Sequence, residues 1–374
     1  MFKINYKHTL KLLKQLDWKL IAIVLVIFMF GLVVLSSATH ANATGNYIKI
    51  YKQLAALVLG VGMLVLFLIF DYNFLGKYYK ELYVVSLILL FVVLIPGVGT
   101  VRGGASSWIS FGSIDLQTSE LVKFTFVISY AKIVESRKGK LNTVKEIGVV
   151  LLYAAPFLGM LMAQPDLGGA IVFMCIIAAM LFIAGLNAKL IKRGLILIVV
   201  LMPLMYLMMA SHQKDRIEAF LNPEDVSLKG NYQVMQSLIS IGSGGVVGKG
   251  IYNGSQNQEN FLPVQDSDFV FAVIGEEMGA IGMGFVILMF AMFILRLIYI
   301  AKEAKDFYGT LIVIGIMGMF AYQIVQNIGM TVALIPVTGV TLPFISAGAS
   351  SVMTSLAEVG LVLNVYMRRK KINF

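Results

Sequence analysis

The sequence has few charged residues and almost no cysteine. Only 13% of its 374 residues are Asp, Glu, Lys or Arg, about half the share found in a soluble domain. It has one cysteine, Cys175, and three histidines, His8, His40 and His212, with no CxxC or HExxH pair. These absences exclude a disulfide framework, a structural zinc site and haem attachment.

Long hydrophobic runs dominate the sequence instead. Hydrophobic residues make up 59% of the chain, and the mean hydropathy is +0.85. A bilayer core of about 30 Å requires about 20 apolar residues in a helix. Segments of suitable length run over Leu20–Ser36, Leu54–Phe70, Leu82–Ile95, Ser119–Val134, Ile147–Ala163, Ala170–Leu186, Gly194–Ala210, Gly279–Ala301, Gly309–Val332 and Gly348–Met367. The sequence therefore predicts an all-α polytopic membrane protein with about ten transmembrane helices.

The distribution of basic residues predicts the orientation in the membrane. Alternate loops on one side collect 22 of the 30 Lys and Arg residues, and short basic loops stay in the cytoplasm. Both termini are therefore predicted to be cytoplasmic, with one long extracellular loop, residues 211–268, between helices 7 and 8. The net charge of +10 is explained by this membrane bias, and no basic module for nucleic acid is present.

The whole chain, 1–374, is predicted to be a single transmembrane domain. Residues 1–19 form a basic amphipathic cytoplasmic segment whose lysines suit anionic membrane lipid, and residues 368–374 form a basic cytoplasmic tail. The first apolar segment is longer than the core of a usual signal peptide and lacks an evident cleavage site, which favours a retained helix.

Five polar or helix-breaking clusters lie on the predicted outer side. They are Gly97–Phe124, Gln164–Gly169, Ser211–Ser267, Phe261–Gly279 and Asn327–Ser351. Such residues are tolerated at membrane depth where they are buried in protein or line a cavity. The clusters therefore predict an external cavity.

The predicted cavity carries charges of both signs. Asp166 and Asp268 supply carboxylates, and Arg102, Lys123 and Arg216 supply cations. This combination suits an anionic amphiphile. Because nucleotides are absent outside the cell, a substrate for bond formation there must carry its own leaving group, as a polyprenyl-diphosphate-linked sugar does.

Several of these residues also have structural interpretations. Glu120 and Lys123, three residues apart, suit an ion pair on one helix face. Asp166 and Asp268 each suit the N-cap of a helix. Desolvation and the neighbouring Asp266 would raise the pKa of Asp268 toward a value useful for a general base.

The sequence resembles the shape, elongation, division and sporulation (SEDS) family of bacterial membrane proteins from Trp18 to Arg369. Five motif blocks in the family's order carry the resemblance: GGASSWISFGSIDLQTSELVK, QPDLGG, FLNPED through YQVMQSLISIGSGGVVGKG, LPVQDSDFVFAVIGEEMG and PVTGVTLPFISAGASS. The chain is closest in size to the RodA members.

The resemblance implies an inverting peptidoglycan glycosyltransferase with ten helices in the bacterial cytoplasmic membrane. Such an enzyme polymerises lipid II, an undecaprenyl-diphosphate-linked disaccharide peptide, at the outer face, for cell elongation, division or sporulation. The implied partner is a class B penicillin-binding protein, a transpeptidase. The resemblance implies no organic cofactor and leaves a divalent cation, Mg²⁺ or Mn²⁺, as the candidate.

The resemblance also implies site residues. Asp268 falls on the catalytic aspartate, and Glu120, Lys123, Asp166 and Arg216 fall on motif residues expected to bind substrate. Further substrate-binding residues expected in the same blocks are Gln236, Ser237, Thr338, Ser346 and Ser350.

The chain departs from the family's motifs at Ser107, Thr118, Val264, Asp266, Ala347 and Ala349. Asp266 stands where the motif has histidine, which adds a carboxylate beside Asp268. Three functions stay open at this stage. They are a divergent but active polymerase, a lipid II flippase or transporter, and a non-catalytic scaffold for a class B penicillin-binding protein.

Overall fold

A computed structural model describes residues 14–40, 47–102, 105–111, 114–225 and 228–369. Most of the predicted segment 1–19 and of the tail 368–374 therefore lies outside the described residues. The helices of the first half are α1 (Trp18–His40), α2 (Ile48–Ile69), α3 (Tyr72–Lys77), α4 (Tyr79–Val92), α5 (Thr118–Glu135), α6 (Val144–Ala163) and α7 (Leu167–Ile183). Those of the second half are α8 (Ala188–Met208), α9 (Ser211–Leu221), α10 (Lys229–Gly244), α11 (Ser255–Gln258), α12 (Val270–Glu303), α13 (Phe307–Thr331) and α14 (Ala349–Met367).

Each of the ten apolar segments predicted from the sequence is helical in the structure. Within the described ranges, six helices are long and apolar enough to cross a membrane, namely α1, α2, α6, α12, α13 and α14. Helix α7 is a shorter apolar helix. The chain is thus a mainly helical protein with the apolar lengths of a membrane protein.

Helix α12 contains a break that the sequence prediction placed at its start. Gly279 has φ 63° and ψ −161° inside the helix, and a Cβ there would lie 2.5 Å from the backbone nitrogen of Gly248. Only glycine fits both the backbone angle and this close approach. The residues from Val270 to Glu277 before the break are all buried. The apolar span predicted from Gly279 therefore omitted this buried piece, although the hypothesis that Asp268 caps a helix had placed a helix start there.

A small antiparallel sheet interrupts the helical fold, so the prediction of an all-α chain was incomplete. Strands β1 (Thr100–Arg102), β2 (Ala105–Phe111) and β3 (Ile114–Gln117) pair in the order β1-β2-β3. Trp108 of β2 lies opposite Gln117 of β3. Glycines and serines in this segment oppose a helix, while the Trp, Ile and Phe side chains of β2 favour a strand. The predicted helix start at Thr118 or Ser119 is confirmed by α5.

The predicted long loop, residues 211–268, contains α9, α10 and α11. The glycine-rich stretch after α10 packs backbone against backbone on α12. A Cβ on Gly244 would lie 1.9 Å from the carbonyl oxygen of Gly275, and the amide of Lys249 donates to the carbonyl of Glu276 at 3.0 Å. These glycines therefore serve close packing between the loop and the helix.

The interior is packed with aromatic and aliphatic side chains. Phe126 of α5 lies 4.8 Å from Phe157 of α6 and 4.9 Å from Phe173 of α7, measured between ring centroids. All three rings are fully buried. Helices α13 and α14 complete this core, and most of their residues are buried.

The first and last residues that the structure describes lie close together. Arg296 of α12 forms an ion pair with the buried Asp17 at 2.6 Å, just before α1. Arg369 donates a hydrogen bond to the carbonyl of Gln15 at 3.2 Å. The N-terminal and C-terminal segments therefore lie on the same side of the helical bundle.

Candidate active site

A cavity of about 640 Å³ lies where the sheet, the starts of α2, α7 and α14, helix α9 and the segment before α12 meet. Asp166, Arg216, Asp268, Thr338 and Ser350 of the predicted site residues line it. These residues come from five separate parts of the sequence. The fold therefore brings together five of the ten predicted positions.

Asp268 is held mainly through its backbone. Its amide donates to the carbonyl of Val264 at 3.1 Å, and its carbonyl accepts from the side chain of Asn327 at 3.0 Å. The residue preceding α12 is Phe269, and it makes no side-chain capping bond. The alternative that Asp268 serves as the N-cap of this helix is therefore wrong.

The environment of Asp268 disfavours its ionised form. Burial away from water raises the pKa of this carboxyl, and the negative charge of Asp266 raises it further. The Ser267 hydroxyl, which donates to Oδ1 at 3.0 Å, and the cation of Arg216 act in the opposite direction. The net rise in pKa makes Asp268 a stronger base than an exposed aspartate once it is ionised. The direction predicted from the sequence is confirmed.

Asp166 has both a structural and a cavity-facing position. Its Oδ1 accepts from the amide of Gly169 at 2.8 Å, which caps α7, and its Oδ2 accepts from the Ser119 hydroxyl at 3.1 Å. The predicted N-cap is therefore confirmed. Burial raises the pKa of Asp166, while the two hydrogen bonds lower it.

Glu120 and Lys123 form the predicted ion pair, 2.6 Å apart, outside the lining of the cavity. The Lys123 side chain is only 3% exposed. The other oxygen of Glu120 accepts from Thr354 of α14 at 3.3 Å. In this structure the pair therefore joins α5 to α14, and contact with a substrate stays a prediction.

Gln236, Ser237 and Ser346 also lie outside the lining. The Ser237 hydroxyl donates to the carbonyl of Thr331 at 2.7 Å. The Ser346 hydroxyl donates to the carbonyl of Ser267 at 2.5 Å and accepts from the amide of Leu342 at 2.9 Å. Ser346 thus holds the residue next to Asp268, while its predicted contact with substrate is untested.

The cavity is also lined by polar residues that the sequence reasoning did not propose as site residues. They include Lys49, Gln53, Asp115 and His212. Lys49 and Gln53 lie one turn apart on α2 and share one face of the helix. This polar face at the start of an apolar helix is the sequence feature that could have indicated their role in the cavity. The carbonyl of Asp115 accepts from the Ser350 hydroxyl at 2.7 Å, which fastens the sheet to α14.

Two pairs of the motif departures contact each other. The Thr118 hydroxyl donates to the carbonyl of Ser107 at 3.2 Å. The amide of Ala347 donates to the carbonyl of Asp266 at 2.7 Å. Val264 has a positive φ of 56°, which is strained for a β-branched residue. Five of the six departures, all except Thr118, line the cavity.

Among the described residues, no group of three or more His, Cys, Asp and Glu side chains is arranged to hold a metal ion. These residues do not fit a metal centre built from protein ligands alone.

Comparison with known proteins adds an independent result. A family model described as a cell cycle protein, FtsW, RodA and SpoVE, matches residues 17–371. Stage V sporulation protein E of Bacillus subtilis (strain 168) is 36% identical over 360 residues, covering 93% of this chain and 96% of that protein. The peptidoglycan glycosyltransferase MrdB of Escherichia coli (strain K12) is 29% identical, covering 93% and 94%.

Solved structures share the fold. One, described as structural coordination of polymerization and crosslinking by a peptidoglycan synthase complex, matches with a TM-score of 0.81 at 32% identity, covering 95% of this chain and 98% of that one. The rod shape determining protein RodA of Thermus thermophilus matches with a TM-score of 0.71 at 29% identity, covering 95% and 98%.

Proposed function

Because the chain belongs to the FtsW, RodA and SpoVE family of cell cycle proteins, we propose that it is a peptidoglycan glycosyltransferase of the bacterial cytoplasmic membrane. The observation that carries the proposal is the position of Asp268, a carboxyl with a raised pKa that lines a cavity of about 640 Å³ together with Arg216. A base beside a cation is what the transfer of a sugar from a diphosphate carrier requires.

The proposed substrate is lipid II. Asp268 takes the proton from the 4-hydroxyl of the acceptor N-acetylglucosamine as that oxygen attacks the anomeric carbon of the growing glycan. The carbon–oxygen bond to the undecaprenyl diphosphate breaks on the opposite face, so the configuration inverts. A positioned general base contributes about 10² to 10⁴ in rate.

Arg216 is the cation placed to stabilise the diphosphate as negative charge develops on it, since it lines the same cavity as Asp268. Lys123 is buried against Glu120 and lies outside the lining of the cavity. We assign Lys123 a supporting role, in which the ion pair holds α5 against α14.

We infer ten membrane spans with both termini in the cytoplasm and the loop 211–268 outside. Helices at all ten predicted segments support the count. The contact between Arg369 and Gln15 supports termini on one side of the membrane. The cavity is then reached from the outer leaflet, where lipid II is polymerised.

The proposed partner is a class B penicillin-binding protein, which would crosslink the new glycan. A solved relative described as part of a peptidoglycan synthase complex supports this pairing. Relatives named for rod shape and for sporulation support a role in cell-wall synthesis during elongation, division or sporulation.

The expected divalent cation stays a proposal. No step above depends on it, because the described residues do not form a protein-only metal centre. Titrating Mg²⁺ or Mn²⁺ against a chelator in the polymerisation assay tests the requirement.

The experiment that tests the function uses purified full-length protein and lipid II in detergent, alone and with its class B penicillin-binding protein. Glycan polymer on a gel is the expected product. Proteoliposomes with fluorescent lipid II distinguish the polymerase from a lipid II transporter and from a non-catalytic scaffold, because they report movement of lipid II between leaflets as well as polymer. Transfer of lipid II between leaflets without polymer would indicate a transporter, and partner binding with neither activity would indicate a scaffold.

A further inference from the structure

An ion pair joins the start of α2 to the segment that carries Asp268. The Lys49 ammonium group contacts the Asp266 carboxylate, and both residues line the cavity. The Lys49 side chain is 52% exposed, whereas the Asp266 side chain is 10% exposed. Water can solvate the Lys49 ammonium group, whereas the largely buried Asp266 carboxylate needs Lys49 to balance its charge.

The position of Lys49 in its helix is unfavourable by itself. Helix α2 begins at Ile48, and a cation in the first turn opposes the positive end of the helix dipole. Removing the partner of a largely buried charge is costly, although exposed ion pairs contribute little. The ion pair with Asp266 therefore accounts for a lysine at this position, whereas the helix dipole disfavours it.

Three hydrogen bonds fix both members of the pair to one loop. Gln53, one turn after Lys49, donates to the carbonyl of Ser346 at 3.0 Å and accepts from the amide of Gly348 at 3.2 Å. Ala347 lies between Ser346 and Gly348 in the sequence. Its amide donates to the carbonyl of Asp266 at 2.7 Å. The start of α2 and the segment 266–268 are therefore held in register.

Asp266 lies two residues from Asp268 and acts on it electrostatically. Its negative charge raises the pKa of Asp268, whereas the Arg216 cation lowers it. The other charged or titratable groups that line the same cavity are Lys52 of α2, Asp115 of β3, Asp166 before α7, and His212 and Arg216 of α9. The Lys49 ammonium group donates a hydrogen bond to the Asp266 carboxylate.

We propose that Lys49 and Asp266 act as a positioning pair for Asp268. Lys49 offsets part of the negative charge of Asp266, which limits how far that charge disfavours the ionised form of Asp268. The pair compensates for a departure from the family's motif, which has histidine where this chain has Asp266. The inference rests on the proposed role of Asp268 as the base.

The direction of the effect follows from charge. Without the Lys49 cation, the uncompensated Asp266 disfavours ionisation of Asp268, so the pKa of Asp268 rises. A base is active above its pKa, so the acidic limb of the activity profile moves to higher pH. Without the Asp266 carboxylate, the limb moves to lower pH.

The test measures the protonation of Asp268 directly. Full-length protein in detergent is labelled with a hydrophobic carbodiimide, which reacts with protonated carboxyls, and labelling of Asp268 is quantified by peptide mass spectrometry across pH. For Lys49→Met the midpoint should rise by about one pH unit. Lys49→Arg is the matched control and should keep the wild-type midpoint. Asp266→Asn should lower it, and Lys49→Met with Asp266→Asn should return it toward wild type.

The polymerisation rate of the same variants is then measured across pH, and its acidic limb should move with the labelling midpoint. An unchanged midpoint in Lys49→Met, or a rise in Asp266→Asn, would overturn the proposal. Labelling needs no substrate. A wild type that makes no polymer therefore refutes the proposed function, whereas an unmoved midpoint refutes the pair alone.

Discussion

The side-chain amide of Asn327 donates a hydrogen bond to the backbone carbonyl of Asp268 at 3.0 Å. The same amide donates to the carbonyl of Val340 at 2.8 Å. Asn327 is fully buried in α13. One side chain of the helical core therefore joins the segment carrying Asp268 to the segment of Val340, whose neighbours Gly339 and Thr341 line the cavity.

Replacing Asn327 with Leu should lower both activity and stability. Leu keeps the branched shape of the side chain, but it is larger and leaves two carbonyl groups without their donor, at roughly 1–3 kcal/mol for each buried group. We expect a polymerisation rate at least tenfold lower and a fall in Tm of several degrees. Thr331→Val, one turn later, is the control, because the Thr331 hydroxyl donates only to Ile328 of its own helix. Equal rates for the two variants would contradict this role.

Asp268→Asn should stabilise the protein at neutral pH while removing its activity. The pKa of Asp268 is raised in the folded state, so its contribution to stability is greatest at low pH and is lost as the pH rises through the folded pKa. A neutral amide avoids this loss. The Tm difference between variant and wild type should therefore grow from pH 4 to pH 8. The exposed Asp215→Asn should show no such trend.

Lys123→Met should destabilise the fold, because it leaves Glu120 buried without its cation. Breaking a buried ion pair by removing one partner costs roughly 3–5 kcal/mol. Adding Glu120→Gln to Lys123→Met removes the orphaned charge and should recover part of the Tm. No recovery in the double variant would show that Lys123 acts by another route.

Glu276→Ala should loosen the external segment between α10 and α12. The fully buried carboxylate of Glu276 accepts from Lys249 at 2.8 Å and from the amides of Gln256 and Asn257 at 2.9 and 3.1 Å. Its loss leaves the two amides without this acceptor, while Lys249 keeps its hydrogen bond to Ser255. Limited proteolysis should then cleave near α11 faster than in wild type. The exposed Glu259→Ala is the control, and equal cleavage of both variants would contradict the role.

The sequence was sufficient to locate the helices, because apolar runs of membrane length have few alternatives. The sequence was less informative for short elements, which lack a long apolar run. The apolar span predicted from Gly279 omitted the buried piece from Val270 to Glu277, which only the expected helix cap at Asp268 indicated. The close approach of Gly279 to Val246 and Gly248 is a tertiary contact that the sequence does not show. The sheet was missed because strands of three to seven residues leave a weak pattern.

The site residues that belong to sequence motifs were predictable. Those that reach the cavity only through tertiary packing were not. Asp166, Arg216 and Asp268 were expected from their motifs and line one cavity. Lys49 and Asp115 join them from α2 and β3, which the sequence does not connect to Asp268. The pairing of Lys49 with Asp266 depends on tertiary contacts, so no local pattern could have indicated it.

The most direct test of the account is the rate of lipid II polymerisation by Asp268→Ala, compared with wild type and with Asp215→Ala, each with its class B penicillin-binding protein. All three proteins must first show comparable thermal unfolding. The account predicts polymer from wild type and from Asp215→Ala, and a loss of at least 10² in rate for Asp268→Ala. Polymerisation by Asp268→Ala at the wild-type rate would contradict the assignment of Asp268 as the base.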